Sequence, residues 1–238
     1  MENLLETKVG AVVSKDYRTA RVFSAYGIDF CCKGGISVAE ACKRNEADAE
    51  KLKAEIEALL QQGTTSDEVV HRMSLTELAW HIVNTHHQYV RENGPLLEAY
   101  LLKIANVHGG RHPELINLYS HFRNGRQHLV HHMEKEEHIL FPLIERIDKT
   151  SSARMSPAVR ESLHGPIAMM EQEHDTEGER FREMRALTND FNPPADACQT
   201  YRVAFKMLAE FEADLHRHIH LENNILFVKA IDKLAANH

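Results

Sequence analysis

Three observations predict an all-α protein: an apolar period near 3.6 residues from Ser74 onward, no convincing strand, and a histidine-rich segment that recurs with an offset of 86 residues, His132 to His218. The chain of 238 residues is long enough for one sizeable core and a small appended domain. The expected organisation is a small N-terminal helical domain over 1–63, a linker over 64–72 and an antiparallel up-and-down four-helix bundle over 73–238.

The first part divides into short helical segments. "SKDYRTARVFSAYG" carries apolar residues at Tyr17, Ala20, Val22, Phe23 and Tyr26 and ends in Gly27, a helix stop. Ser37 is placed to cap a short helix through Cys42, and "EADAEKLKAEIEALLQQG" is an amphipathic helix closed by Gly63. The polar "GTTSDEVV" has no core pattern and supplies the linker. Four long helices follow, near 74–105, 113–149, 157–188 and 196–235. Gly94-Pro95, Pro142 and Gly165-Pro166 are expected to kink or restart them, because proline brings no N–H to the helical ladder. "HGGRHP" and "NDFNPPADA" are turns, and connections this short favour antiparallel neighbours.

Composition narrows the functional classes. With 28 basic and 35 acidic residues the formal charge is -7, and no long basic stripe is present, so nucleic acid is not the expected partner. No apolar run approaches the roughly 20 residues of a membrane span. The start "MENLLETKVGAVV" lacks a basic region followed by a cleavable apolar run, and a cytoplasmic location is expected. Four cysteines (Cys31, Cys32, Cys42 and Cys198) are too few for a disulfide scaffold, and reduced thiols are the default. The unusual count is histidine, at 17.

Histidine is also ordered. "HMEKEEHILFPLI" (132–144) aligns with "HIHLENNILFVKA" (218–230), pairing His132 with His218 and Glu136 with Glu222. Upstream, His87 and His174 each precede one of these pairs by 45 or 44 residues. A His and a Glu four apart share a helix face. In the second helix that face also carries Leu129, Met133, Leu140, Ile144 and Ile147; in the fourth it carries Leu208, Phe211, Leu215 and Leu226. In the third, Ile167, Met170, Phe181 and Met184 turn His174 inward. The first helix leaves two choices by periodicity: His87 lies with Trp80, Val83 and Val90, and His86 with Leu78, Ile82 and Tyr89. The duplication favours His87.

Such a bundle buries four imidazoles and two carboxylates in one layer. Uncompensated, each buried carboxylate costs several kcal/mol or takes up a proton. A pair of cations removes that cost, and imidazole with carboxylate, without thiolate, suits iron or manganese. A lone His-x-x-x-Glu is ordinarily an exposed helix pair; two in phase with the core, each preceded by an inward histidine, read as metal ligands. His131, His138, His216 and His220 fall toward polar faces, in solvent or supporting roles. Glu68/His71, Glu161/His164 and Glu171/His174 do not repeat the pattern of a ferritin-like di-iron site.

Through "HMEKEEHILFP", "MEQEHD" and "HIHLENNILF" the long part resembles the hemerythrin-like domains. Through "GIDFCCKGG" the short part resembles the N-terminal domain of the iron-sulfur cluster repair di-iron proteins, the Repair of Iron Centres family of YtfE/ScdA type. The resemblance covers nearly the whole chain and implies His87, His132, Glu136, His174, His218 and Glu222 as ligands of two non-haem iron ions, with an oxo bridge and both glutamates bridging. It implies repair of clusters damaged by nitric oxide or peroxide, by iron donation to damaged iron-sulfur proteins; the competing reading is an enzyme that binds and reduces nitric oxide at the same centre. Small molecules such as nitric oxide or oxygen are implied ligands. A homodimer through exposed faces of the N-terminal helices is a further expectation.

Cys31 and Cys32 lie between Gly27 and Gly34-Gly35, in a tight loop. Packing is one role for them. The other is a functional thiol pair that takes up reactive nitrogen species, binds iron or relays electrons. Lys33 and the helix N-terminus that follows, if close, are expected to favour thiolate. Cys42 falls within a helix, and Cys198 at a helix start.

Overall fold

The computed structural model describes residues 3–61, 67–150 and 162–235. Residues 64–66 of the expected linker, Gly63, Glu161 and the expected helix start at 157–161 lie outside that set. Among the described residues the chain is helical apart from turns and one isolated antiparallel bridge between Lys8 and Ser37. None of their helices is long and apolar enough to cross a membrane.

The fold separates into two compact units. The first gathers 1–79, 144–163 and 219–238; the second holds 80–143 and 164–218. In the first unit, α1 (Val9–Lys15) and α2 (Thr19–Ala25) replace the single run suggested by "SKDYRTARVFSAYG". Asp16 is the reason for the break: its carboxylate accepts the Arg18 N–H at 3.0 Å and its carbonyl accepts the Thr19 hydroxyl at 2.7 Å, a local pattern that competes with helix. Gly27, at φ +68°, ends the segment.

The side chains of Ser37 and Asp48 cap α3 (Val38–Arg44) and α4 (Ala49–Leu60), and α5 (Asp67–Arg72) follows. A reciprocal capping box begins α6 (Leu75–Ile82): the Glu77 N–H donates to Ser74 Oγ at 3.2 Å and the Ser74 N–H to Glu77 Oε2 at 2.8 Å. Buried Phe23, Val38, Leu52 and Ile56 form the core of these helices.

In the second unit α7 (Gln88–His108) packs on α8 (Glu114–Lys135), and α8 packs on α10 (His164–Leu187). The fourth helix is α11 (Gln199–Leu221). Gly94-Pro95 lies inside α7, which continues to His108. Gly165-Pro166 opens α10, where the first N–H groups need no helical partner. Phe211 centres the apolar layer, with ring centroids 5.2 Å from Phe122, 5.9 Å from Tyr89 and 6.2 Å from Phe181. Burial of each of the phenylalanine rings, Phe122, Phe181 and Phe211, removes enough apolar area from water to favour folding by about 2–3 kcal/mol.

Three of the four long helices contain a π turn: Val83–His87, Glu136–Leu140 and Glu222–Leu226. Helix resumes after the second as α9 (Phe141–Lys149) and after the third as α12 (Phe227–Ala235). Helix α12, and α9 from Ile144 onward, fall in the first unit with the N-terminal helices.

Candidate metal centre

Each π turn begins or ends on a residue of the predicted ligand set: His87 closes the first, Glu136 opens the second and Glu222 opens the third. A π turn adds one residue to the helix and advances the buried stripe by five positions in place of four. In the first helix this step runs from Ile82 to His87, both fully buried. It also explains why periodicity could not separate His86 from His87: His86 follows the stripe before the turn, His87 the stripe after it, and both are buried.

The six predicted residues are all buried, Glu136 and Glu222 completely. Glu136 turns Oε2 toward His87 Nε2 and Oε1 toward His132 Nε2, each at 3.3 Å. His87 Nε2 stands 3.2 Å from His218 Nε2, and His132 Nε2 stands 3.0 Å from His174 Nε2. Glu222 follows His218 by one turn of the same continuous helix, so the helix itself sets its place. The donor atoms fall into two groups, His87, Glu136, His218 and Glu222, and His132, Glu136, His174 and Glu222, each within 4.8 Å. Both carboxylates belong to both groups.

A further set of carboxylates holds the imidazoles from behind. His87 Nδ1 meets Glu137 Oε1 at 2.6 Å, and the same oxygen accepts from Arg91 Nη2 at 2.7 Å. His132 Nδ1 meets Glu173 Oε2 at 2.8 Å, with Lys135 on the other oxygen. His86 Nδ1 meets Asp214 Oδ1 at 2.9 Å, and its ring stacks on His218 at 5.8 Å. The bond from His132, with that from Lys135, outweighs desolvation and holds Glu173 down at about 2. Burial raises Glu137, but its bonds from His87 and Arg91 prevail and its carboxyl also titrates below the usual range.

Ionised carboxylates at Nδ1 fix the proton there, and the network assigns Nε2 of His87 and His132 as the lone-pair atom facing inward. Facing imidazole lone pairs and two buried carboxylates make a donor set suited to cations, and the residues present fit a metal pair. Sequence reasoning did not find Glu137, Glu173 or Asp214. The available signal was adjacency: Glu137 and Glu173 each neighbour a predicted ligand.

Comparisons with known proteins agree with this chemistry. The Hemerythrin HHE cation binding domain matches residues 78–230, and ScdA_N, a domain of unknown function, matches residues 5–60. The iron-sulfur cluster repair protein ScdA of Staphylococcus haemolyticus is 35% identical over 226 residues, covering 94% of this chain and 97% of that protein. The iron-sulfur cluster repair protein YtfE of Yersinia pseudotuberculosis is 34% identical over 223 residues, covering 94% and 96%. The chain belongs to the ScdA/YtfE family. Its helical architecture is the one the sequence predicted, and its bundle is a cation-binding domain of the hemerythrin type.

The Cys31-Cys32 pair of this ScdA/YtfE family member lies in the first unit. Asp29 Oδ1 accepts the N–H groups of Cys31 at 3.1 Å and Cys32 at 3.0 Å. The bond with Cys32, then burial, pushes the Cys31 thiol well up. At Cys31 this runs against the expected thiolate, since the Asp29 carboxylate stands 3.4 Å from its Sγ and disfavours a second negative charge. His220 is a second correction. It is fully buried rather than on a polar face, because Tyr17 and Phe30 lie 5.6 and 6.1 Å from its ring. His131 and His138 are exposed, Cys42 is buried in α3, and Cys198 is exposed.

Proposed function

We propose that this protein repairs iron-sulfur clusters damaged by nitrosative or oxidative stress, and that iron held in the bundle is what it donates. The single observation behind this reading is the arrangement of Glu136, whose two oxygens face imidazoles of different donor groups. His87 and His218 would hold one iron, His132 and His174 the other, with Glu136 and Glu222 shared between them. Imidazole and carboxylate without thiolate form a familiar non-haem iron set. Two histidines and two carboxylates per ion would leave coordination positions that the protein does not fill, open to small molecules. Bound there, iron supplies redox chemistry and exchangeable positions.

The residues of the chain do the rest. Glu137 and Glu173 keep His87 and His132 in the tautomer that presents Nε2. Buried Phe141, 5.9 Å from the His87 ring, contributes an apolar wall beside that imidazole. Relatives named as iron-sulfur cluster repair proteins, matched over nearly their whole length, support damaged iron-sulfur proteins as the targets.

The test is reactivation. A cluster-dependent enzyme inactivated by nitric oxide is incubated with the iron-loaded protein or with the same amount of free ferrous iron. Activity restored well above the free-iron control supports donation; equal recovery in the two arms rejects it.

A further inference from the structure

The Cys31-Cys32 loop has the geometry of a coordination site in its own right. The two sulfurs stand 3.7 Å apart, far beyond the ~2.05 Å of a disulfide. A metal–sulfur distance of about 2.3 Å and a tetrahedral angle place two thiolates about 3.8 Å apart. With a metal–oxygen distance of about 2.1 Å, the same geometry places a carboxylate oxygen about 3.6 Å from each sulfur. Asp29 Oδ1 lies 3.4 Å from Cys31 Sγ, and the three donors fall within 4.8 Å of one another. Two of the three donor spacings thus lie near those that a metal would impose, and the third, Asp29 to the Cys32 sulfur, is within 4.8 Å.

The loop is also organised before any ion arrives. One Asp29 oxygen gathers both cysteine N–H groups. Asn223 Nδ2 donates to the Cys31 carbonyl at 3.2 Å, and Asn224 Nδ2 to the carbonyls of Cys31 and Phe30 at 3.4 Å each. Gly34 closes against α1, the Gly10 N–H donating to its carbonyl at 2.8 Å. Cys31 is buried while Cys32 is half-exposed, so one side of the pair faces protein and the other reaches solvent.

We propose that Asp29, Cys31 and Cys32 form a second metal site, separate from the histidine-glutamate layer, which binds a thiophilic or borderline divalent cation with one coordination position left open. Binding exchanges protons for metal: a divalent ion replaces the two thiol protons, which pass to solvent, and two metal–sulfur bonds form with no change of oxidation state. An open position suits an ion that must leave again. Resting on the repair reading above, the ion in transit there is ferrous iron on its way to a damaged protein.

Cobalt(II) is the probe, because its thiolate complexes absorb through sulfur-to-metal charge transfer that histidine and glutamate cannot give. Reduced full-length protein is titrated with cobalt(II) without oxygen. The expected result is a charge-transfer band that saturates at one cobalt per chain and is accompanied by proton release. The Cys31→Ser/Cys32→Ser double variant should lose the band while keeping the bundle's metal content and the far-ultraviolet helical signal. Asp29→Asn, whose side-chain oxygen still accepts both N–H groups, should weaken the band's apparent affinity at least about tenfold, since loss of a carboxylate at or behind a metal costs that much elsewhere.

No band at saturation, or a band that persists in the double variant, overturns the site. An unchanged affinity in Asp29→Asn overturns the three-donor assignment. Failure of the repair reading gives a different pattern: the thiolate band forms, but reactivation of a client does not exceed that by free iron.

Discussion

Glu136 and His138 sit two residues apart in one segment yet have opposite surroundings, and that contrast tests the ligand assignment at the level of the residue. Glu136 is fully buried, with imidazole nitrogens at 3.3 Å from both oxygens. His138 is exposed. Glu136→Ala removes the shared carboxylate and should leave well under half of the bound metal, whereas His138→Ala should load as the parent does; metal analysis of the two variants reads this directly. Full metal content in Glu136→Ala would remove the carboxylate from the ligand set. The six buried residues were legible because a polar motif repeated in phase with an apolar stripe must enter the core, and carboxylates in a core need compensating positive charge. The outer carboxylates were not, since Glu137 and Glu173 look like ordinary surface residues until the facing helix supplies His87 and His132. His220 was misread for the same reason: its own helix does not reveal Tyr17 and Phe30, about 200 residues earlier in the chain.

At the scale of elements, helix spans could be read from period and turn residues, but the π turns could not. An inserted residue leaves no composition signal, and its trace in the sequence was the double choice at His86 and His87. Two contacts of the first unit test how its elements are joined. A Cβ on Gly34 would press the Phe30 carbonyl and come within 3.0 Å of the Gly10 backbone, with no flexible side chain to yield. Gly34→Ala should therefore cost about 1–3 kcal/mol of stability in urea unfolding; an unchanged midpoint would show that the loop can withdraw from α1.

Asp148 joins three elements. It accepts the Thr76 N–H at 3.1 Å and hydroxyl at 2.8 Å at the start of α6, and Lys233 of α12 at 2.8 Å. Burial raises its carboxyl, but the bonds from Lys233 and Thr76 outweigh that and hold it below the ordinary aspartate range. A carboxylate held low binds fewer protons folded than unfolded, so its contribution is present above the unfolded value of about 3.9 and is lost as pH falls through the folded value. Asp148→Asn should cost about 1 kcal/mol at neutral pH, and the gap to the parent should narrow below about pH 3.9. A gap that does not change with pH would mean that the charge is irrelevant.

At the scale of the whole molecule, the internal repeat does not give two independent donor groups. The first half supplies His87, His132 and Glu136, the second His174, His218 and Glu222, and each donor group draws on both halves. Neither half can complete a group alone, and a bound pair would tie all four long helices together through shared carboxylates. Without metal, the same carboxylates remain as buried charge or take up protons, and the layer opposes folding. Loss of metal should thus be cooperative and should reach the whole bundle. At a free metal concentration about a thousand times the dissociation constant, binding adds about 4 kcal/mol to stability. For a chain of this size that corresponds to a Tm higher by roughly 8–16 °C. Stepwise chelation, followed by metal analysis and thermal unfolding, should give a mixture of loaded and empty protein with few singly loaded chains, and the empty fraction should melt lower by about that amount. A stable population with one metal, melting like the loaded form, would show that the two groups act separately and that Glu136 and Glu222 are not shared.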